Sequence, residues 1–387
     1  MKVALAIERF DPRAGGAERY AWDLSATLLG RGHEVTVLCL RAAGRPAGIQ
    51  VFSPRLPALL PTAARVYLFA RFCGREAARG NFDVVHGLMK SLGSNLFHPH
   101  TGSHRASLEA SLEAESRGRG KDLRALARRL SLRQRVFLRI EDAQYRMPPP
   151  GLFVAVSKMV QKDMVERHGV DPARIRVVYN GVDTERFSPG KTERSRELRK
   201  SLAPGTDEVL VLHAAHNPRL KGLGTLLRAV AALPGERRDR VRVCVAGRAS
   251  PGRWTKLAAR LGLGANLCFT GHVEDMEEYY RAADLFVLPT FYDPCSLTVL
   301  EAMACGTPVL TSARNGAAEL FGDRQKEWVL SDPADAGGLA GLIEPFFDPG
   351  VRRTAGAKVR AIAAAYGAET NHRRIIEIYK EVMEGSS

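Results

Sequence analysis

The sequence predicts an α/β protein built from two doubly wound, Rossmann-like domains facing across a cleft, and three observations carry that prediction. Short apolar runs alternate with longer helical patterns along the whole chain. The same rhythm occurs once before and once after a polar stretch near residues 180–205. The chain has 387 residues, too many for one ordinary core, whereas two domains of roughly 150–200 residues each match the usual size.

In the first half, residues 3–7 (VALAI) read as a buried strand, Gly15-Gly16 as a turn, 17–30 as a helix and 34–40 as a second strand. Gly30-Arg31-Gly32-His33 is a suitable helix stop. Further strands are expected at 83–87 and 151–156, the latter ending at Ser157. The second half repeats the pattern with strands near 209–213, 241–246, 268–270, 285–289 and 309–312, separated by helices such as 223–233 and 276–283. The polar run after Tyr179 reads as the linker, giving domains 1–180 and 181–365 and a terminal segment 366–387, helical from about 371 to 383, packing back towards the first domain. In open parallel sheets ligands bind at the carboxyl ends of the strands, so the expected site is the cleft between the two.

Composition narrows the function. A hydrophobic fraction of 45% is that of a globular protein. The N-terminal apolar run is too short for a signal peptide, and no later stretch approaches the ~18 apolar residues of a membrane span, so a cytoplasmic location is expected. Six cysteines, at 39, 73, 244, 268, 295 and 305, show neither close pairing nor zinc-like spacing and are expected as reduced thiols. The net charge of +15 is concentrated: residues 117–139 hold nine basic residues and one acid, with Leu123, Leu126, Leu130 and Phe137 at roughly helical spacing. This basic amphipathic stretch is either a solvated helix covering the first domain or a docking surface for an anionic inner membrane, each basic residue there contributing about 1 kcal/mol. Nucleic acid is disfavoured, because aromatics are 7% of the chain and only Phe137 and Tyr145 lie between 117 and 146.

Asp293 stands eight positions before Glu301, with a helix start between them. Helix-start amides bind phosphate and carboxylates accept from hydroxyls, so the spacing suits a ligand with phosphate in its middle and hydroxyls at both ends, such as a nucleotide sugar. Lys221, in Arg219-Leu220-Lys221-Gly222, falls between a strand and a helix, where a cation approaches a diphosphate. The chain contains no Asp-x-Asp, the usual metal clamp for such a diphosphate, so a transfer without metal and without a bound cofactor is expected. Gly15-Gly16 lacks the G-x-G-x-x-G spacing of a dinucleotide fingerprint.

Gly15-Gly16-Ala17-Glu18 with Arg31-Gly32-His33-Glu34-Val35, then Asn180-Gly181-Val182-Asp183, Asn217 to Gly222, and Asp293 to Glu301 followed by 302–308, resemble in order the retaining GT-B glycosyltransferases of family 4, group 1. The resemblance is strongest to the branch acting on lipopolysaccharide core, and it covers nearly the whole chain. It implies transfer of a glucose-type hexose from a UDP-linked donor to a saccharide or glycolipid acceptor, with retention through a short-lived oxocarbenium-like ion pair. By the same resemblance His100, Lys221 and Asp293 are catalytic. Gly15, Gly16, Arg219, Lys221, Asp293, Ser296, Leu297, Thr298 and Glu301 bind the nucleotide sugar, and Glu18, His98 and Ser103 face the acceptor. The chain departs from the family at two places: Asp293 stands where Glu is usual, and Leu220 stands where a second cation is common, leaving Arg219 or nothing for that role. Three histidines in 97–104 lack zinc-ligand spacing. A nucleotide-sugar epimerase on the same two-domain plan is the alternative enzyme, and a nucleic-acid-binding protein the low-ranked one.

Overall fold

The computed structural model describes residues 1–44, 46–57, 59–116, 131–148 and 151–385. The chain divides into two compact units. One comprises Met1–Glu109, Ser116–Tyr179 and Glu369–Ser387, the other Ala110–Glu115 and Asn180–Ala368.

In the first unit, β1 (Lys2–Ala6), β3 (Glu34–Leu38), β5 (Ile49–Phe52), β6 (Val84–Gly87), β7 (Leu96–Phe97), β8 (Leu152–Ala155) and β9 (Ile175–Val177) form one parallel sheet in the order β5-β3-β1-β6-β7-β8-β9. Two-residue strands β2 (Arg9–Phe10) and β4 (Arg41–Ala42) pair separately. The period of two along β1 sorts its side chains onto two covered faces. Val3, Leu5 and Ile7 enter a core with Tyr20, Leu24 and Leu28 of the helix Gly16–Gly30 and with Ile375, Ile378 and Tyr379 of the last helix, Ala368–Glu384. Ala4 and Ala6 meet Phe69 and Cys73 of the helix Thr62–Arg79 on the other face. The chain thus returns to its first unit: Asn371 Nδ2 donates to the Tyr179 carbonyl at 2.7 Å and Arg176 Nε to Glu381 Oε2 at 2.7 Å.

The second unit has β10 (Val209–Ala214), β11 (Val241–Ala246), β12 (Leu267–Gly271), β13 (Leu285–Leu288), β14 (Val309–Ser312) and β15 (Val329–Leu330), all parallel, in the order β12-β11-β10-β13-β14-β15. The strand order therefore reverses between β10 and β13, as it does between β1 and β6 of the first unit. Residues 193–202, expected as part of the linker, form a helix instead. Thr192 caps it by accepting from Ser195 N at 3.0 Å, and Arg199 pairs with Asp284 at 3.3 Å, so a segment that reads as polar is docked through ionic contacts. Arg281, Arg352 and Arg360 donate to the carbonyls of Ser188, Phe346 and Ala304.

The α/β class with parallel sheets agrees with the sequence reading, and all six cysteines are free. Among the described residues no helix is long and apolar enough to cross a membrane. Of the basic stretch, residues 117–130 lie outside the described residues. Its remainder enters the helix Leu132–Tyr145, where Arg133, Arg135 and Arg139 are at the surface and Leu132 is 72% exposed.

One glycine fixes the geometry of the second unit's loops. Gly222 has φ of 79°, and a Cβ there would lie 2.0 Å from the Pro289 carbonyl oxygen. Gly222→Ala is expected to cost about 2 kcal/mol or more in urea unfolding, from the left-handed backbone and the collision together. Gly235→Ala, where an added Cβ meets nothing within 4 Å, should change stability by less than about 0.5 kcal/mol. Equal losses would show that the approach to Pro289 is not what demands glycine.

Candidate active site

In the second unit, the loops after β10 and β13 bring the candidate donor-binding residues together. Phe291 N donates to the Leu220 carbonyl at 2.8 Å, and Thr290 Oγ1 to the same carbonyl at 3.1 Å. With the loops tied, Lys221 Nζ reaches Asp293 Oδ2 at 2.5 Å and the Tyr292 carbonyl at 3.4 Å. Asp293 is only 8% exposed. Its backbone bridges Asn315 and its neighbours: Asp293 N donates to the Arg314 carbonyl at 3.0 Å and accepts at its own carbonyl from Gly316 N at 2.9 Å. Asn315 Oδ1 in turn receives Ser296 N at 3.2 Å and Ala317 N at 3.1 Å, while Asn315 Nδ2 donates to Thr311 Oγ1 at 2.9 Å. Thus a single buried amide sets the turn from Asp293 to the helix Leu297–Ala304.

Ser296 caps that helix, its Oγ accepting from Val299 N at 3.4 Å, and it also meets Thr298 Oγ1 at 2.9 Å. The Leu297 and Thr298 amides precede the capped amide and have no intrahelical acceptor by geometry, which leaves them as anion donors at the positive end of the helix. One turn on, Glu301 Oε2 accepts from the phenol of Tyr280 at 2.8 Å. Tyr280 is fully buried, and burial together with the Glu301 charge pushes its phenol well above the usual range, so it remains a donor. Arg219 forms an ion pair with Glu115, within the same unit. Below Lys221, His213 is fully buried and donates from Nδ1 to the Val287 carbonyl at 2.9 Å. Its pKa is lowered to about 4, first by burial. Nothing in the motif spacing singles out His213; its one signal in the sequence is a histidine inside an apolar strand.

In the first unit the other sequence-predicted residues group around the loops after β1, β6 and β7. Gly15 caps the helix Gly16–Gly30, and the Glu18 carboxylate folds over it: a Cβ on Gly15 would meet Glu18 Oε2 at 2.7 Å. Glu18 is buried and faces Arg9 Nη2 at 3.5 Å. Two charged neighbours carry no motif and are absent from the sequence reading. Glu8 has a raised pKa, chiefly from burial and offset by Lys90, and Lys90 lies over the Phe137 ring at 4.8 Å with its own pKa lowered by burial. Ser103 spends its hydroxyl on Ala106 N at 3.2 Å, capping the helix His104–Ser116, and meets His168 Nε2 at 3.4 Å.

His98 and His100 sit face to tilted face, ring centroids 4.1 Å apart, and His100 lies 4.0 Å from the Tyr20 ring. His98 Nδ1 is 3.2 Å from His86 Nε2, and His86 Nδ1 is 2.8 Å from Tyr379 Oη. Burial holds His86 and His100 down to about 3 and His98 well below the usual range. Among the described residues no group of three or more His, Cys, Asp or Glu side chains is placed to hold a metal ion.

Two sequence profiles match the chain, one described as Glycosyltransferase Family 4 over residues 14–186, the other as Glycosyl transferases group 1 over residues 194–356. The chain belongs to the family 4, group 1 glycosyltransferases. It is 33% identical over 205 residues to the D-inositol 3-phosphate glycosyltransferase 2 of Catenulispora acidiphila, across 49% of this chain and 47% of that one. The chain spans about half the length of the curated relatives it matches. The crystal structure of WaaG, a glycosyltransferase involved in lipopolysaccharide biosynthesis, superposes with a TM-score of 0.81 at 21% identity, over 97% of this chain and 99% of that one. Anabaena HepE in complex with UDP and glucose gives 0.71 at 20% identity, over 98% and 99%. These two likenesses establish the GT-B fold of this glycosyltransferase.

The buried histidines make the fold sensitive to acid. Their folded pKa values lie below the usual 6.5, at about 3 for His86 and His100 and about 4 for His213 and His372. Below pH 6.5 the unfolded chain takes up protons that the folded chain refuses, so stability is full above that value and is lost as pH falls towards 4. Each such histidine contributes a loss of about 1.4 kcal/mol per pH unit in that window. Thermal unfolding followed from pH 7.5 to 5 should show a steep fall below pH 6.5; a flat profile would mean that these rings are protonated in the folded state.

Proposed function

We propose that this glycosyltransferase moves a glucose-type hexosyl group from a UDP-linked donor to a hydroxyl of a saccharide or glycolipid acceptor, with retention and without a metal ion. The observation that carries the reading is the Lys221–Asp293 pair, 2.5 Å apart, beside the N-terminus of the helix Leu297–Ala304. In this reading the donor diphosphate lies against the Leu297 and Thr298 amides, next to Ser296, and takes Lys221 as its cation. Arg219, paired with Glu115, is the weaker candidate for a second cation. Glu301, oriented by Tyr280, accepts from the ribose hydroxyls, and Asp293 accepts from hydroxyls of the transferred sugar.

The chemistry follows from charge. As the glycosidic C1–O bond breaks, negative charge grows on the departing diphosphate, and a nearby ammonium and helix amides stabilise it more in the transition state than in the ground state. The ring carbon becomes oxocarbenium-like, the acceptor hydroxyl attacks from the same face, and its proton passes to the departing phosphate oxygen. Gly15 and Gly16 allow close backbone approach of the donor phosphate or the acceptor, and Glu18, His98, His100 and Ser103 are the proposed contacts on the acceptor side.

A thermal-shift series with UDP-glucose, UDP-galactose and GDP-mannose tests the donor. A donor at a hundred times its Kd stabilises the chain by about 2.7 kcal/mol. Lys221→Ala is expected to lower kcat/KM by about 100-fold or more, and Glu301→Ala to weaken donor binding by roughly ten- to a hundredfold, the worth of hydrogen bonds to a charged group. Full activity in both variants would overturn the site assignment, and an epimerised donor released without acceptor would reassign the enzyme. The acceptor series pairs glycolipid saccharides with inositol 3-phosphate, the class named for the curated relatives.

We further propose that the basic stretch 117–139 docks on an anionic membrane surface, supported by its charge and by exposed Leu132 beside Arg133 and Arg135. Vesicles containing phosphatidylglycerol should bind the protein, less so as salt rises. Binding unchanged after Arg128, Arg129, Arg133 and Arg135 are replaced by Ser would sink this reading.

A further inference from the structure

We propose that a cavity in the second unit, separate from the candidate donor residues, binds a small anion carrying several phosphates. The cavity measures about 560 Å³. Its walls include the turns that enter β13 and β14, at residues 283–284 and 305–308, and the segment 189–191. The remaining wall is one face of the helix Pro349–Ala364, where Pro349, Arg352, Arg353, Gly356, Ala357 and Arg360 recur at helical spacing. The candidate donor residues of this unit follow β10 and β13 instead, and none of them lines the cavity.

The charge of the cavity is unbalanced. Five cations line it, Lys191, Arg281, Arg352, Arg353 and Arg360, against one carboxylate, Asp284. That carboxylate is already shared: Oδ1 lies 3.5 Å from Arg352 Nε, while Oδ2 lies 3.3 Å from Arg199 Nη2 and accepts from Leu210 N at 2.8 Å. Arg281 has a carboxylate of its own, Glu278, at 2.6 Å. Arg360 is half-buried and donates to carbonyls, from Nη1 to Ala304 at 2.9 Å and Phe187 at 3.2 Å and from Nη2 to Thr184 at 3.4 Å. Lys191 and Arg353 are exposed and form no ion pair among the described residues. Carbonyls fix the direction of a guanidinium but leave its charge uncompensated, and gathering such charges away from water is unfavourable. An anion with several charges offsets that cost, and arginines already held in place lose little freedom in binding it.

The lining also selects the class of anion. The cations come from three separate segments, which suits charge spread over several phosphates better than a single one, and the guanidinium fork matches phosphate oxygens. No aromatic side chain lines the cavity, so a nucleobase has nothing to stack on. Space comes from small residues between the arginines: a Cβ on Gly356 would lie 2.2 Å from the Gly306 carbonyl oxygen. The helix start adds little, because Asp348 already accepts from Gly350 N and Val351 N. The proposal does not depend on the donor assignment.

The test is calorimetric titration of the full chain with inorganic tripolyphosphate at about 150 mM salt, where weak surface attraction is largely screened. Binding is expected in the unchanged protein and in Lys221→Ala, which removes the cation of the candidate donor site. It should weaken by about tenfold or more when Lys191 and Arg353 are both replaced by Ser, the worth of charge-assisted contacts. Ala357→Leu fills the cavity and keeps every charge, so a similar loss is expected there, whereas attraction to surface charge alone would be unmoved. Inorganic phosphate should bind at least about tenfold more weakly than tripolyphosphate. Full affinity in the double Ser variant or in Ala357→Leu, equal affinity for the single phosphate, or binding abolished by Lys221→Ala alone would overturn the proposal. Lys191, Arg353 and Ala357 take no part in the donor assignment, so failure here leaves the nucleotide-sugar reading standing.

Discussion

The carbonyl of Leu220 accepts from both Phe291 N and Thr290 Oγ1, and this small knot holds the second unit's site in place. It joins the loops leaving β10 and β13, the two strands on either side of the reversal in strand order. A parallel sheet leaves a crevice there, because the connections on its two sides cover opposite faces. Gly222 permits the knot by letting its Cα approach the Pro289 carbonyl. From the knot follow the reach of Lys221 to Asp293 and, through Asn315, the placement of the capped helix start.

The first unit solves the same problem with different side chains. Its order reverses between β1 and β6; Glu8 follows β1, Glu18 lies in the first turn of the helix after it, Lys90 follows β6, and His98 and His100 follow β7. Its support comes from far along the chain. The last helix covers β1 and inserts Tyr379 against His86, so the end of the sequence finishes the core of its beginning. Removing that helix would expose an apolar sheet face and also break the polar line to His98.

The long strands were legible because both their faces are covered, which makes residues 3–7, 209–214 and 241–246 continuous apolar runs. Strands of two residues, β7 and β15, carry no such signal and exist only because longer neighbours template them. The helix Glu193–Leu202 was hidden because its contacts are ionic. At the site, Lys221, Asp293, Ser296 and Glu301 were each visible from local spacing. Their partners were not: Tyr280 and Glu301 are 21 positions apart, Lys221 and Asp293 are 72 apart, and His86 and Tyr379 are 293 apart. Local pattern reveals which residues carry charge at a strand end, whereas pairing depends on the order of strands in the sheet.

That pairing bears on how the proposed donor is selected. Without Asp293, Lys221 would be a half-buried cation facing the positive end of a helix, an unfavourable place for it. Asp293 neutralises it at 2.5 Å. At an effective dielectric of about 20, a unit charge pair at 4 Å is worth roughly 4 kcal/mol. A diphosphate carries about two negative charges and meets the helix amides as well, so it outcompetes one carboxylate for Lys221. A lone hydroxyl does not. Asp293, once released, is an acceptor-only group beside the sugar, and its shorter arm relative to glutamate keeps it on the loop set by Asn315. In the proposed reading the same two side chains neutralise each other until a donor binds, and the sugar contact is conditional on the arrival of phosphate.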